Sequence, residues 1–262
     1  MDYSSELKAV LDLVSESGEG VMEVYDSDFS VDYKGDDSPV TRADLLSEEI
    51  LLGGLEGFGY GILSEESGFM GSDNKMCWVI DPLDGTRDFV EGTGDFSIMV
   101  GLLDEGRPVL GVVHAPVLGK SWYAVGGGGA FADGKPIKVS GVSELGVWRM
   151  LVSRFHLREE DKQVAKSLGV SSFRESGSVG IKYCLIASGD AELCVYTTSG
   201  LGFWDCCAPQ VILEEAGGLV FEVHGNPPVY DLDLGSWRME HGFVGCNGMN
   251  KKEILKAVEK AL

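Results

Sequence analysis

Two aspartates three residues apart, Asp81 and Asp84, sit in the segment Asp81-Pro82-Leu83-Asp84-Gly85-Thr86, where the apolar run Cys77-Trp78-Val79-Ile80 gives way to a turn. Carboxylates at a strand end suit a hard divalent cation. Mg²⁺ takes oxygen ligands in near-octahedral geometry and keeps waters and substrate phosphates in its shell, so a few rigid carboxylates serve it better than a closed cage. Pro82 biases Asp81 toward an extended backbone, and Gly85 frees the next step of the chain to bend. The stretch beginning at Thr86 reads as a helix start, whose free N–H groups and positive dipole end favour a phosphate. Metal, water and phosphate could meet at this corner. A plainer reading makes Asp84 an ordinary helix N-cap and Asp81 a solvated strand-end residue.

Two further segments carry carboxylates in related settings. Ile62-Leu63-Ser64-Glu65-Glu66-Ser67 sets a glutamate pair directly after a short apolar stretch, and Gly202-Phe203-Trp204-Asp205 sets an aspartate at the start of a helix. In order and approximate spacing the three segments resemble the signature of the lithium-sensitive, magnesium-dependent phosphomonoesterases related to inositol monophosphatase. That family shows a Glu-Glu segment, then Asp-Pro-(Ile/Leu)-Asp-Gly-Thr, then Trp-Asp before a helix ending in Glu-Ala-Gly-Gly, here Glu215-Ala216-Gly217-Gly218. The resemblance covers nearly the whole chain. It implies an α/β fold, an alternating αβαβα sandwich shared with fructose-1,6-bisphosphatase. The metals would lie between an N-terminal α+β half, residues 1–136, and a C-terminal α/β half, residues 137–262.

Carried over position by position, the resemblance implies two to three Mg²⁺ ions. Glu65, Asp81 and the Leu83 carbonyl would hold the first, and Asp81, Asp84 and Asp205 the second, with a weaker third ion near Glu65. Glu66 is the alternative ligand at the glutamate pair. The attacking water would be held by a metal, Thr86 and Glu65, with Asp44 polarising Thr86. Such a scheme is physically coherent, because a metal lowers the pKa of its water and paired ions stabilise the attacking and leaving oxygens. Phosphoryl transfer needs mainly that positioning and charge neutralisation. No covalent phosphoenzyme is required.

Substrate choice rests on a finer resemblance. Gly177-Ser178-Val179-Gly180-Ile181-Lys182 looks like the Gly-Ser-x-x-x-Lys segment of the 3′(2′),5′-bisphosphate nucleotidases, in which Lys182 would offer a positive charge to a second phosphate. Its plainer reading is a surface helix lysine. Thr198 stands where inositol monophosphatases place a glutamate that contacts inositol hydroxyls. The implied substrate contacts are Gly85, Thr86, Gly177, Ser178, Lys182 and Asp205, and the implied reaction converts 3′(2′)-phosphoadenosine 5′-phosphate to AMP and phosphate. Inositol monophosphatase and a broad sugar bisphosphatase are the alternatives within the superfamily. A metal-binding regulatory protein without turnover is the alternative of another class; the presence of Thr86, Asp44 and every carboxylate ligand speaks against it.

The elements that must position these residues are legible in outline. A helical pattern with apolar positions at three-and-four spacing runs from Glu6 through Val14. Turn formers Asp37-Ser38-Pro39 precede Thr41, which with Asp44 three residues on resembles a capping box opening the second helix. Strand-like runs come next at Ser97–Leu103, Val109–Val113 and Trp122–Val125. Gly126-Gly127-Gly128-Gly129 stands between strands with no following Lys-Ser/Thr, so it reads as a flexible turn and not a P-loop. In the second half a strand at Arg149–Ser153 alternates with helices at Glu159–Leu168, Ser178–Ala187 and Trp204–Glu215, as α/β layers do.

Composition sets the outer bounds. The 262 residues are 44% hydrophobic and 9% aromatic, ample for a buried core. Net charge is −21, from 42 acidic against 21 basic residues, which argues against a nucleic-acid polymer as partner. A phosphorylated small molecule would be repelled by this field unless divalent cations reverse it locally. Residues 1–6 lack the features of a signal peptide, and no apolar run approaches the roughly 20 residues a membrane helix needs. The expectation is a cytoplasmic monomer or homodimer without membrane contact. Six cysteines without a C-x-x-C pair read as small buried hydrophobes in a reducing compartment. The four histidines fall in no metal-binding frame.

Overall fold

The computed structural model describes residues 2–33, 35 and 39–262; Asp37 and Ser38 of the expected turn lie outside them. The chain runs α1 (Ser4–Tyr25), β1 (Val31–Tyr33), β2 (Pro39–Thr41), α2 (Arg42–Leu55), β3 (Gly61–Ser64), β4 (Gly68–Met70), β5 (Met76–Asp84), α3 (Thr86–Val90), β6 (Ser97–Asp104), β7 (Arg107–Ala115), β8 (Lys120–Val125), β9 (Ala130–Ala132) and β10 (Lys135–Ile137). It continues with β11 (Arg149–Ser153), α4 (Glu159–Leu168), β12 (Ser172–Ser176), α5 (Val179–Ala187), β13 (Leu193–Tyr196), α6 (Phe203–Glu215), β14 (Leu219–Glu222), β15 (Phe243–Cys246) and α7 (Lys251–Ala261).

Among the described residues, eight strands form one sheet in the order β10-β9-β8-β7-β6-β5-β3-β4, and five form a second in the order β12-β11-β13-β15-β14. The period of two along a strand sends alternate side chains to opposite faces. In β5, Trp78 and Ile80 pack with Val10, Val14 and Leu51 of α1 and α2. Their neighbours Cys77 and Val79 pack instead with Ile181 of α5 and Ile212 of α6. The same inner cluster takes Leu151 and Cys194 from one face of the second sheet. The far face of that sheet, with Met150 and Val152, closes on Val164 of α4 and Ile254 of α7. Helices, sheet, helices, sheet and helices succeed one another, the αβαβα sandwich implied by the resemblance.

Close approach seats α6 on the large sheet. A Cβ at Gly111 of β7 would stand 2.2 Å from the Ala208 carbonyl oxygen, so the helix backbone can lie against the strand only where a side chain is missing. The glycine turn is more constrained than expected. Gly127 and Gly129 donate their amides to the Glu215 carboxylate at 2.7 and 2.9 Å, which pins the turn to the end of α6.

All six cysteines are free and buried, and burial pushes the Cys77 thiol up to about 12 and that of Cys246 to about 11. They are packing residues. Among the described residues no helix is long and apolar enough to cross a membrane.

Candidate active site

The acidic corner is made by an irregularity in β5. Asp81 pairs opposite Met99 and Asp84 opposite Ser97 of β6, so three steps on one strand match two on the other. Side chains three apart on a regular strand face opposite sides; the extra residue resets the alternation and turns both carboxylates the same way. Pro82 fits the irregular stretch because it has no N–H to give to a ladder. Its carbonyl is held by the Ser47 hydroxyl of α2 at 2.6 Å. Gly85 then turns the chain with φ of 93°, and a Cβ there would lie 2.9 Å from the Asp95 carbonyl oxygen. No other residue fits that step without strain.

Carboxylate oxygens of Asp81, Asp84 and Asp205 lie within 4.8 Å of one another. Asp81 is 1% exposed; its Oδ1 accepts from the Leu83 amide at 3.1 Å, and its buried Oδ2 has no hydrogen-bond partner. Asp84 reaches across to the second half of the chain, where Oδ2 accepts from the Ser178 hydroxyl and the Gly180 amide. It is therefore no N-cap of α3, whose cap is Gly85. Asp205 accepts from the Gly202 amide at the head of α6. Burial raises the pKa of all three, and repulsion from the neighbouring carboxylates adds to it. In Asp84 the Ser178 hydrogen bond and the charge of Lys182 oppose the rise. An orphaned anionic oxygen among buried carboxylates is costly unless a cation meets it. An oxygen-only donor set fits a hard ion such as Mg²⁺ and not a soft one.

Thr86 stands between two acceptors, Asp44 Oδ1 at 3.0 Å and the Leu83 carbonyl at 3.1 Å. Its hydroxyl has one proton to give. Asp44 Oδ2 accepts from the Thr41 amide and hydroxyl, each at 2.7 Å. The capping box and the contact with Thr86 thus coexist in one side chain, and burial raises the Asp44 pKa against these bonds. Glu65 and Glu66 lie just past β3 in a half-buried turn, where the Glu65 amide donates to the Ile80 carbonyl at 3.2 Å. Glu65 stands outside the 4.8 Å group, yet its charge helps raise the pKa of all three aspartates.

A cleft of about 630 Å³ opens over the cluster, walled by Glu65, Asp84, Gly85, Thr86, Gly177 and Asp205. Arg87, Arg158 and Arg238 line it as well, with Phe155, His156 and Thr198. Two expected substrate contacts do not reach it. Ser178 is fully buried; its hydroxyl holds Asp84 and caps α5 by accepting from the Ile181 amide. Lys182 has no exposure, and its Nζ donates to the Ser176 and Gly177 carbonyls at 2.8 and 3.0 Å. It is neither a surface lysine nor a free cation facing a second phosphate. The reason is the setting of α5, buried along its whole length between the two sheets, where an ammonium must spend its donors on the nearest carbonyls.

Other residues at the site carried no obvious signal in the sequence. Ser47 of α2 holds the Pro82 carbonyl, and Glu48 accepts from the Ser64 hydroxyl and the Ser67 amide beside the acidic segments; their spacing from Asp44 on one helix face was the clue available. Arg154, just past the end of β11, pairs with the buried Asp88 of α3 and, at 2.6 Å, with Asp95. A larger depression of about 1160 Å³ lies under the N-terminus, among Tyr3, Glu6, Tyr60 and Glu105. None of the acidic cluster lines it.

The model of the inositol monophosphatase family matches residues 2–262. The 3′(2′),5′-bisphosphate nucleotidase CysQ of Aggregatibacter actinomycetemcomitans is 33% identical over 235 residues, covering 86% of this chain and 87% of that protein. The histidinol-phosphatase of Chlorobaculum parvum is 30% identical over 259 residues, with 97% and 96% covered. Among solved structures, the extragenic suppressor protein suhB of Bartonella henselae superposes with a TM-score of 0.87 over 99% of this chain and 100% of that one. At 24% identity that likeness concerns the fold.

Proposed function

The chain belongs to the inositol monophosphatase family of phosphatases, and on that premise we propose that it is a Mg²⁺-dependent phosphomonoesterase converting 3′(2′)-phosphoadenosine 5′-phosphate to AMP and phosphate. The observation that carries the chemistry is the partnerless buried Oδ2 of Asp81 beside Asp84 and Asp205. Asp81, Asp84 and Asp205, with Glu65 and the Leu83 carbonyl, would hold two to three ions. Once bound, these neutralise the carboxylates, lower the pKa of the attacking water and stabilise charge on the phosphoryl oxygens.

The chain's own residues do the rest. Thr86 donates its one O–H hydrogen bond to Asp44, which leaves the hydroxyl lone pairs free to accept from the attacking water. Glu65 orients the same water from the opposite turn. The Gly85 and Thr86 segment receives the ester phosphate, and the water displaces the leaving alcohol in line, with no covalent intermediate.

Similarity to the CysQ nucleotidase supports the nucleoside bisphosphate as substrate. So does the cleft, whose 630 Å³ and three arginines suit a second anionic group; these cations line the cleft, whereas Lys182 is buried away from it. A second reading, hydrolysis of histidinol phosphate, draws on the relative that matches 97% of this chain. The test is phosphate release with Mg²⁺ and with EDTA from the adenosine bisphosphate, histidinol phosphate, inositol 1-phosphate and fructose 1,6-bisphosphate. A preference of at least tenfold in kcat/KM, about 1.4 kcal/mol in the transition state, is expected for the adenosine bisphosphate. Preference for another ester would transfer the substrate assignment to it.

A further inference from the structure

One turn of α2 carries three buried polar side chains, Asp44, Ser47 and Glu48, which are 2%, 0% and 7% exposed. Spacings of three and four residues put them on one face of the helix. Two of them hold the Asp81–Thr86 segment and the third holds the glutamate pair. Asp44 receives Thr86, and Ser47 binds the Pro82 carbonyl. Glu48 Oε1 accepts from the Ser64 hydroxyl at 2.5 Å and from the Ser67 amide at 3.1 Å.

Glu48 differs from the other two. Its partners lie at the glutamate pair and not in the Asp81–Thr86 segment; none of the three lines the cleft, and another carboxylate near a cluster of mutually repelling ones is unfavourable unless it does something a neutral residue would do less well. Ser64 and Ser67 are the two residues that flank Glu65 and Glu66. One carboxylate oxygen therefore ties both ends of the turn between β3 and β4.

We propose that Glu48 is a positioning residue for cation binding: by clamping Ser64 and Ser67 it fixes the direction in which Glu65 faces the cleft. The inference rests on the reading of Glu65 as a metal ligand. A turn left loose would have to be ordered each time an ion binds, and the entropy of that ordering would weaken affinity. Groups that orient a ligand from behind typically change metal affinity about ten- to a hundredfold when removed.

Calorimetric titration of Mg²⁺ into wild-type protein, Glu48→Ala, Glu48→Gln and Glu65→Gln tests this directly. Glu48→Ala should bind at least about tenfold more weakly. Glu48→Gln, whose amide oxygen can still accept from Ser64 and Ser67, should recover most of the affinity. In turnover, the Mg²⁺ concentration for half-activation should rise more in Glu48→Ala than kcat falls. If Glu48→Ala does not fold, Glu48→Asp, one methylene too short to reach both donors, takes its place with the same expectation. Wild-type affinity in a folded Glu48→Ala or Glu48→Asp, with affinity lost in Glu65→Gln, would overturn the positioning role alone. Unchanged affinity in Glu65→Gln would remove the ligand reading, and the positioning role with it.

Discussion

Lys182 gives its ammonium to the carbonyls of Ser176 and Gly177 from a site without solvent, and its charge acts on Asp84. It works as an internal brace for the segment that carries Gly177 and Ser178. Replacing it by methionine keeps the bulk but leaves two acceptors unpaired. We expect Lys182→Met to lose about 2 kcal/mol or more, roughly 4–8 °C in melting temperature for a chain of this size. The ratio of kcat/KM between bisphosphate and monophosphate esters should stay as in wild type. A selective loss on bisphosphates would mean that the lysine reaches the substrate after all. Asp44 shows the opposite case, because its local cap and its long-range contact with Thr86 both depend on where Thr41 starts the helix.

Elements whose signals are local were legible before the fold was known. Helix α4 spans the residues expected of it, α5 and α6 differ by one residue at their starts, and α2 opens at Thr41 with Asp44 in the box. The features that escaped depend on partners distant in sequence. The register shift between Asp81 and Asp84 exists only against β6, and the glycine turn is pinned by Glu215, 86 and 88 residues away. Burial of Lys182 results from two sheets closing on α5, which no single window of sequence contains. Helix α3, expected to start at Thr86, has only five residues, so its dipole would have little to offer a phosphate. The carboxylate motifs were readable because their spacing is local; the faces they share were not.

For the whole molecule, an acidic chain of net charge −21 concentrates its electrostatic strain where carboxylates are buried. Burial raises the pKa of Asp44, Asp81, Asp84 and Asp205 in the folded protein. Between the ordinary carboxylate pKa and these raised values the folded state binds more protons than the unfolded one, so metal-free stability falls as pH rises through that window. A bound cation cancels the repulsion and stabilises by mass action, while protons compete with it at low pH. The rise in melting temperature on replacing EDTA with Mg²⁺ should therefore be larger at about pH 7.5 than at about pH 5. An equal rise at both, measured by scanning fluorimetry, would show that these carboxylates are not where the ion acts.

The most direct measurement is phosphate release by Asp84→Asn at saturating Mg²⁺, on whichever ester the wild-type protein hydrolyses fastest, with the melting temperature in EDTA recorded alongside. Asparagine keeps the shape and can still accept from Ser178 and Gly180, so the fold should hold without a loss in melting temperature. Turnover should fall at least about a hundredfold, roughly 2.7 kcal/mol in the transition state, because the charge that faces Asp81 and Asp205 is gone. Wild-type turnover with its Mg²⁺ dependence intact would contradict a cation site built on Asp81, Asp84 and Asp205.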